Sequence, residues 1–148
     1  MSDETTGLPD GEVGRLGRAL IEDIPDAVIY ADREGLIRFW NAGAARIFGF
    51  SPEEALGQSL DIIIPERLRK RHWDGYDHMM ATGRSRYAAD KLLAVPAQTK
   101  AGEALSIQFT VVPLHDAGGG IEGIAAVLRD VTPTFQELKR LRAGARGA

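Results

Sequence analysis

Leu105, Ile107, Phe109 and Val111 stand on every second position, with other residues between them, and that spacing constrains the chain more than any other feature. Successive side chains of a strand point to opposite faces, so these four share one face of a sheet. The same period runs through residues 87–95 and 121–131, which predicts three strands after Gly83. Between them lie two stretches with turn chemistry, Lys100-Ala101-Gly102-Glu103 and Asp116-Ala117-Gly118-Gly119-Gly120. An antiparallel meander is the economical way to join strands through such short turns.

The first half of the chain follows different rules. Residues 1–12 are polar and rich in Gly, Asp, Thr and Pro, with too little apolar surface to offset the entropy of ordering, and they read as a flexible leader. Val13, Leu16, Leu20, Ile21 and Ile24 fall at helical spacing before Pro25 stops the pattern, which predicts an amphipathic helix over residues 13–24. Ala27-Val28-Ile29-Tyr30-Ala31 and Leu36-Ile37-Arg38-Phe39-Trp40 flank a turn at Asp32-Arg33-Glu34-Gly35 and should pair as a hairpin. Asn41 suits the N-cap of a short helix ended by Gly49, and Ser51-Pro52-Glu53-Glu54 is a capping box. Leu60 to Ile64 is a compact apolar run; residues 66–82 form the longest candidate helix, stopped by Gly83.

Composition removes whole classes of chemistry. The chain has no cysteine, which excludes disulfides, thiolate zinc sites, a cysteine nucleophile and any photochemistry that bonds a chromophore to sulfur. A net charge of −3 with Lys and Arg spread along the sequence offers no basic field for nucleic acid, so direct nucleic-acid binding is not expected. No apolar stretch approaches the length of a membrane span, and Met1-Ser2-Asp3-Glu4 is acidic where a secretory signal is basic, so a cytoplasmic location is expected. No Ser-His-Asp order, phosphate-cradling glycine loop or paired metal carboxylates can be drawn, and the chain reads as a non-enzyme.

The order is strand, strand, short helices, a longer helix, three strands and a polar terminal helix. An α+β arrangement satisfies it, with a five-stranded antiparallel sheet carrying its helices on one face. Over residues 16–141 the chain resembles the PAS fold. The strings that carry the likeness are Ile24-Pro25-Asp26-Ala27, Phe39-Trp40-Asn41-Ala42, Phe48-Gly49-Phe50-Ser51-Pro52-Glu53-Glu54, Gly57-Gln58, Lys100-Ala101-Gly102-Glu103 and Arg129-Asp130-Val131-Thr132. With the leader over 1–12 and the amphipathic helix over 13–24 read above, the resemblance implies a PAS core over 25–131 and the start of a C-terminal signalling helix and tail over 132–148.

Ile64-Pro65-Glu66-Arg67-Leu68-Arg69-Lys70-Arg71-His72-Trp73-Asp74-Gly75-Tyr76, running on to Gly83, is similar to the stretch that carries the iron-binding histidine of heme PAS oxygen sensors, above all the heme kinases of nitrogen-fixation control. That likeness makes His72 the candidate ligand for heme b. Arg67, Arg69, Lys70 and Arg71 would then meet the propionates or form a solvated helix face. The candidate pocket is lined by Leu92, Ile107, Phe109 and Val111. The strand arginine that steadies oxygen in those sensors falls on Leu92, and the methionine ligand of a related phosphodiesterase sensor falls on Asp90, so neither match is made. Such a pocket favours carbon monoxide or a small apolar organic ligand. His78 is an alternative ligand on the opposite helix face, and His115 reads as a solvated loop residue.

The resemblance further implies a sensor that signals as a homodimer or through a histidine kinase or other effector. The competing class is a protein-interaction module whose core is filled by its own side chains and takes no ligand.

Overall fold

The computed structural model describes residues 7–84 and 93–146 of the chain. Helix α1 spans Asp10–Asp23, three residues ahead of the expected start, so residues 10–12 belong to the helix and not to a leader. Asp10 and Glu12 in its first turn complement the positive end of the helix dipole, a local term that the apolar periodicity does not register.

Strands β1 (Ala27–Asp32) and β2 (Ile37–Trp40) form the expected hairpin. Helix α2 (Ala42–Phe48) is capped by Asn41 and ended by Gly49 at φ 86°, a left-handed conformation that glycine adopts without strain. Helix α3 (Pro52–Ala55) carries the capping box read from Ser51 and Glu54. The apolar run is a 3-10 turn, Leu60–Ile63.

The longest helix is shorter than its sequence signal. Glu66–Leu68 forms a separate 3-10 turn, and helix α4 runs over Arg69–Thr82. The Leu68 N–H bonds back to the Pro65 carbonyl at 2.9 Å, an i to i+3 pairing that tightens the chain before α4 opens.

Strands β3 (Leu93–Gln98), β4 (Ala104–His115) and β5 (Ile121–Asp130) form the expected meander. β3 continues past Val95 through Pro96, and the rest of its expected run lies outside the described residues. Proline is tolerated there because β3 is an edge strand. The sheet order is β2-β1-β5-β4-β3, all pairs antiparallel. Helix α5 (Thr132–Arg146) leaves directly from the end of β5.

The core sits on one face of the sheet. Ala44 and Phe48 of α2, Ala55 of α3 and Ile63 pack with Ala27, Ile29, Ile37, Trp40, Ala97, Ile107 and Leu128 from all five strands. Phe48 is the largest of the completely buried side chains, and trimming it to alanine should cost about 3–5 kcal/mol. A second cluster joins Tyr76 and Met79 of α4 to Ala31, Ile121 and Ile124 of the sheet.

Candidate ligand-binding site

Helix α4 is held against the β1–β2 hairpin by two aromatic side chains one turn apart. The Tyr76 hydroxyl donates to the Asp32 carbonyl, and burial pushes its pKa well above the ordinary phenol range, so the phenol keeps its proton. The Trp73 ring lies over the turn: a β-carbon on Gly35 would come within 2.2 Å of it, so only glycine fits at that position, where φ is also +82°. The Trp73 indole N–H donates to Asp61 Oδ1 at 2.7 Å, which ties α4 to the 3-10 turn as well.

His72 completes this aromatic group. Its ring lies 4.6 Å from Trp73 in an edge-on arrangement and 5.9 Å from Tyr76. The His72 Nδ1 is buried and has no hydrogen-bond partner among the described residues. Desolvation holds the imidazole below its usual range, opposed by the Asp61 carboxylate nearby, so it is neutral at pH 7. A neutral imidazole with an unused ring nitrogen in an apolar setting is the donor that heme iron takes. His78 is exposed and lies away from this group, and His115 is exposed at the end of β4, as expected of a solvated residue.

The remaining candidates are divided. Val111 packs beside the Tyr76 and Met79 cluster, on the side of the sheet that α4 covers. Ile107 and Phe109 belong instead to the cluster around Phe48 and Ile63, with Leu60 touching both groups. Leu92 and Asp90 lie outside the described residues. Arg69 is drawn inward: its Nε donates to the Ile64 carbonyl at 3.1 Å and an Nη to the Asp61 carbonyl at 3.3 Å. It therefore braces the loop ahead of α4, leaving Arg67, Lys70 and Arg71 as the exposed cations of this segment, with Lys70 paired to Asp74 at 2.9 Å.

Asp61 was not singled out from the sequence, yet it meets Trp73, Arg69 and the field around His72. The available signal was a lone carboxylate inside the apolar run Leu60 to Ile64. No group of three or more metal-ligating side chains gathers among the described residues, and no described helix is long and apolar enough to cross a membrane.

A family model for the PAS fold matches residues 21–134. The chain belongs to the PAS family. Relatives of this PAS domain include the Sensor protein FixL of Bradyrhizobium diazoefficiens, 30% identical over 125 residues, covering 84% of this chain and 24% of that protein. An uncharacterized protein of Azorhizobium caulinodans is 34% identical over the same length, covering 84% of this chain and 17% of its own. The chain thus spans a quarter or less of the curated relatives it matches. Among solved structures, a PAS domain from Colwellia psychrerythraea aligns with a TM-score of 0.71 at 19% identity, covering 82% of this chain and 98% of that one. The family is one of sensory modules, and nothing in these matches points to a catalytic family.

Proposed function

We propose that this PAS domain is a heme-binding, non-catalytic sensor in which His72 holds the iron. The observation that carries the reading is the partly buried His72 imidazole, its Nδ1 without a hydrogen-bond partner among the described residues, on a helix segment that resembles the one bearing the iron ligand in heme PAS oxygen sensors. Arg67 and Arg71 are the residues that would meet the propionates, while Val111 and the unplaced Leu92 would line the apolar side. Heme, when bound, supplies an open coordination position for a diatomic gas. Trp73, packed over Gly35, and Tyr76, bonded to the Asp32 carbonyl, would orient the histidine by fixing α4 to the hairpin turn.

The test is optical. Protein produced with sufficient iron and heme precursor should carry a Soret band, His72→Ala should lose it, and His78→Ala should keep it. Because Leu92 replaces the arginine expected beside bound oxygen, the reduced form should take up carbon monoxide more readily than it holds oxygen. A colourless protein that also refuses added hemin would sink the heme reading. The tight cluster of Ile107, Phe109, Phe48 and Ile63 supports a second reading for that outcome, a cofactor-free interaction module with a side-chain-filled core.

Signalling through a homodimer, with a histidine kinase as the downstream effector, belongs to the same reading. Leu16 and Leu20 of α1 and Phe135, Leu138 and Leu141 of α5 are exposed apolar side chains on helices that need a partner to cover them. Leu20→Glu, at a position 53% exposed, should weaken self-association in sedimentation without disturbing the core. A wild-type chain that stays monomeric at high concentration would remove the dimer.

A further inference from the structure

The two terminal helices stand off the core and are pinned at their roots. α1 buries no residue, and every described side chain of α5 from 133 to 145 is exposed. At the α1 root, the Asn41 side-chain amide donates to the Ile21 carbonyl at 2.8 Å and the Asp26 carbonyl at 3.1 Å, and Arg46 donates to the Pro25 carbonyl at 2.6 Å. At the α5 root, Val131 N–H bonds to the Ser106 carbonyl at 2.9 Å, Ser106 N–H to Thr132 Oγ1 at 2.9 Å, and Thr132 N–H to Asp130 Oδ1 at 2.9 Å.

One side-chain pair runs directly from root to root. Arg129 donates through Nε to Asp26 Oδ1 at 3.2 Å and through Nη2 to Asp26 Oδ2 at 2.9 Å, across 103 residues of sequence. The β1–β5 backbone ladder ends at Ala27 opposite Leu128, and beyond it the chain departs through Pro25 towards α1 and through Val131 towards α5. The pair therefore carries the cross-link one residue past the ladder, at the position where both helices hinge. Two parallel N–H···O bonds from a planar guanidinium fix orientation as well as distance, which a single lysine contact does not. Asp26 is already ordered, its side chain 15% exposed against 67% for Arg129, so only one long side chain loses freedom when the pair forms.

We propose that the Asp26–Arg129 pair is a clasp that couples α1 to α5, so that a displacement at one helix root is passed to the other. The coupling does not depend on which ligand the core takes. Because coupling between two sites is reciprocal, loosening either end of the clasp loosens the helix at the opposite end. Its exposed guanidinium also makes the clasp sensitive to salt.

The test is residue-resolved amide exchange on the full chain. The Ile24 N–H, bonded to the Leu20 carbonyl, reads the last turn of α1; the Phe135 N–H, bonded to the Val131 carbonyl, reads the first turn of α5. Arg129→Gln should speed exchange at Ile24, and Asp26→Asn should speed it at Phe135, each about two- to fivefold, the ratio that corresponds to a surface ion pair. Amides in the middle of β1 and β4 should not change, and the charge-swapped double variant D26R/R129D should recover part of both effects. Effects confined to the mutated root, with Ile24 unmoved in Arg129→Gln and Phe135 unmoved in Asp26→Asn, would overturn the clasp. If either variant loosens the middle of the sheet, the wild-type chain decides: raising salt from low to molar concentration should speed Ile24 and Phe135 together, and a salt-insensitive pair of amides overturns the proposal.

Discussion

Replacing Asn41 by alanine should be among the more damaging single polar substitutions in this chain, although Asn41 touches no candidate ligand. Asn41 is 4% exposed and makes four side-chain hydrogen bonds. Its Oδ1 accepts from the Val28 N–H at 2.9 Å and the Ala44 N–H at 2.8 Å, and its amide donates to the Ile21 and Asp26 carbonyls. Alanine removes the α2 N-cap, at a cost of about 1 kcal/mol. It also leaves the buried Val28 N–H without an acceptor, which adds about 1–3 kcal/mol. The sum, about 2–4 kcal/mol, is a large share of the ~5–15 kcal/mol that holds a typical domain folded. With a urea slope near 2 kcal/mol per molar, the unfolding midpoint should fall by about 1–2 M. Asn41→Ser keeps an acceptor for Ala44 but is too short for the rest, so it should fall between wild type and alanine. A midpoint for Asn41→Ala within experimental error of wild type, or a serine variant as unstable as alanine, would refute the reasoning.

Two glycines should respond in opposite directions. Gly75→Ala, mid-helix in α4 with nothing near the added carbon, should raise stability by about 0.5–1 kcal/mol. Gly43→Ala would place a carbon 2.1 Å from the Asp26 carbonyl oxygen, a backbone atom, and should lower stability by about 2–3 kcal/mol or more. Thermal melts of the two variants decide both. Burial pushes the Asp32 carboxyl up, but hydrogen bonds from the Leu36 N–H, the Arg38 guanidinium and the Glu34 N–H together hold it below its ordinary 3.8. A depressed carboxyl stabilises the fold above its unfolded value and loses that contribution as pH falls through the folded one. The stability gap between wild type and Asp32→Asn, followed by urea titration, should be constant at neutral pH and shrink once pH drops below about 4; a gap unchanged down to pH 3 would contradict it.

Much of the fold was legible because its signals are local. The period-two run at Leu105, Ile107, Phe109 and Val111 fixed a strand with one buried face, and the Ser51 capping box and Gly49 marked helix ends that the structure reproduces at those residues. Each depends on chemistry within a few positions, so neighbouring sequence suffices. Where a helix starts was less legible, because the dipole contribution of Asp10 and Glu12 and the i to i+3 bond at Leu68 compete with apolar periodicity.

The sequence by itself also determined that His72 is a candidate ligand, through the resemblance of its segment to known heme sensors. It did not determine the environment that makes the imidazole neutral. Asp61, Trp73 and Tyr76 meet around His72 only after α4 folds back onto the β1–β2 turn, and the same folding brings the Arg69 guanidinium onto the Ile64 and Asp61 carbonyls. Likewise, the placement of β1 between β2 and β5 was decided by tertiary structure. Pairing Ala27 with Leu128 closes a long loop whose entropy no local residue pattern encodes, and it is recovered only when both strands bury their apolar faces in one core. The same closure brings Asp26 and Arg129 within hydrogen-bond reach, so a contact between the two ends of the domain exists only in the folded chain.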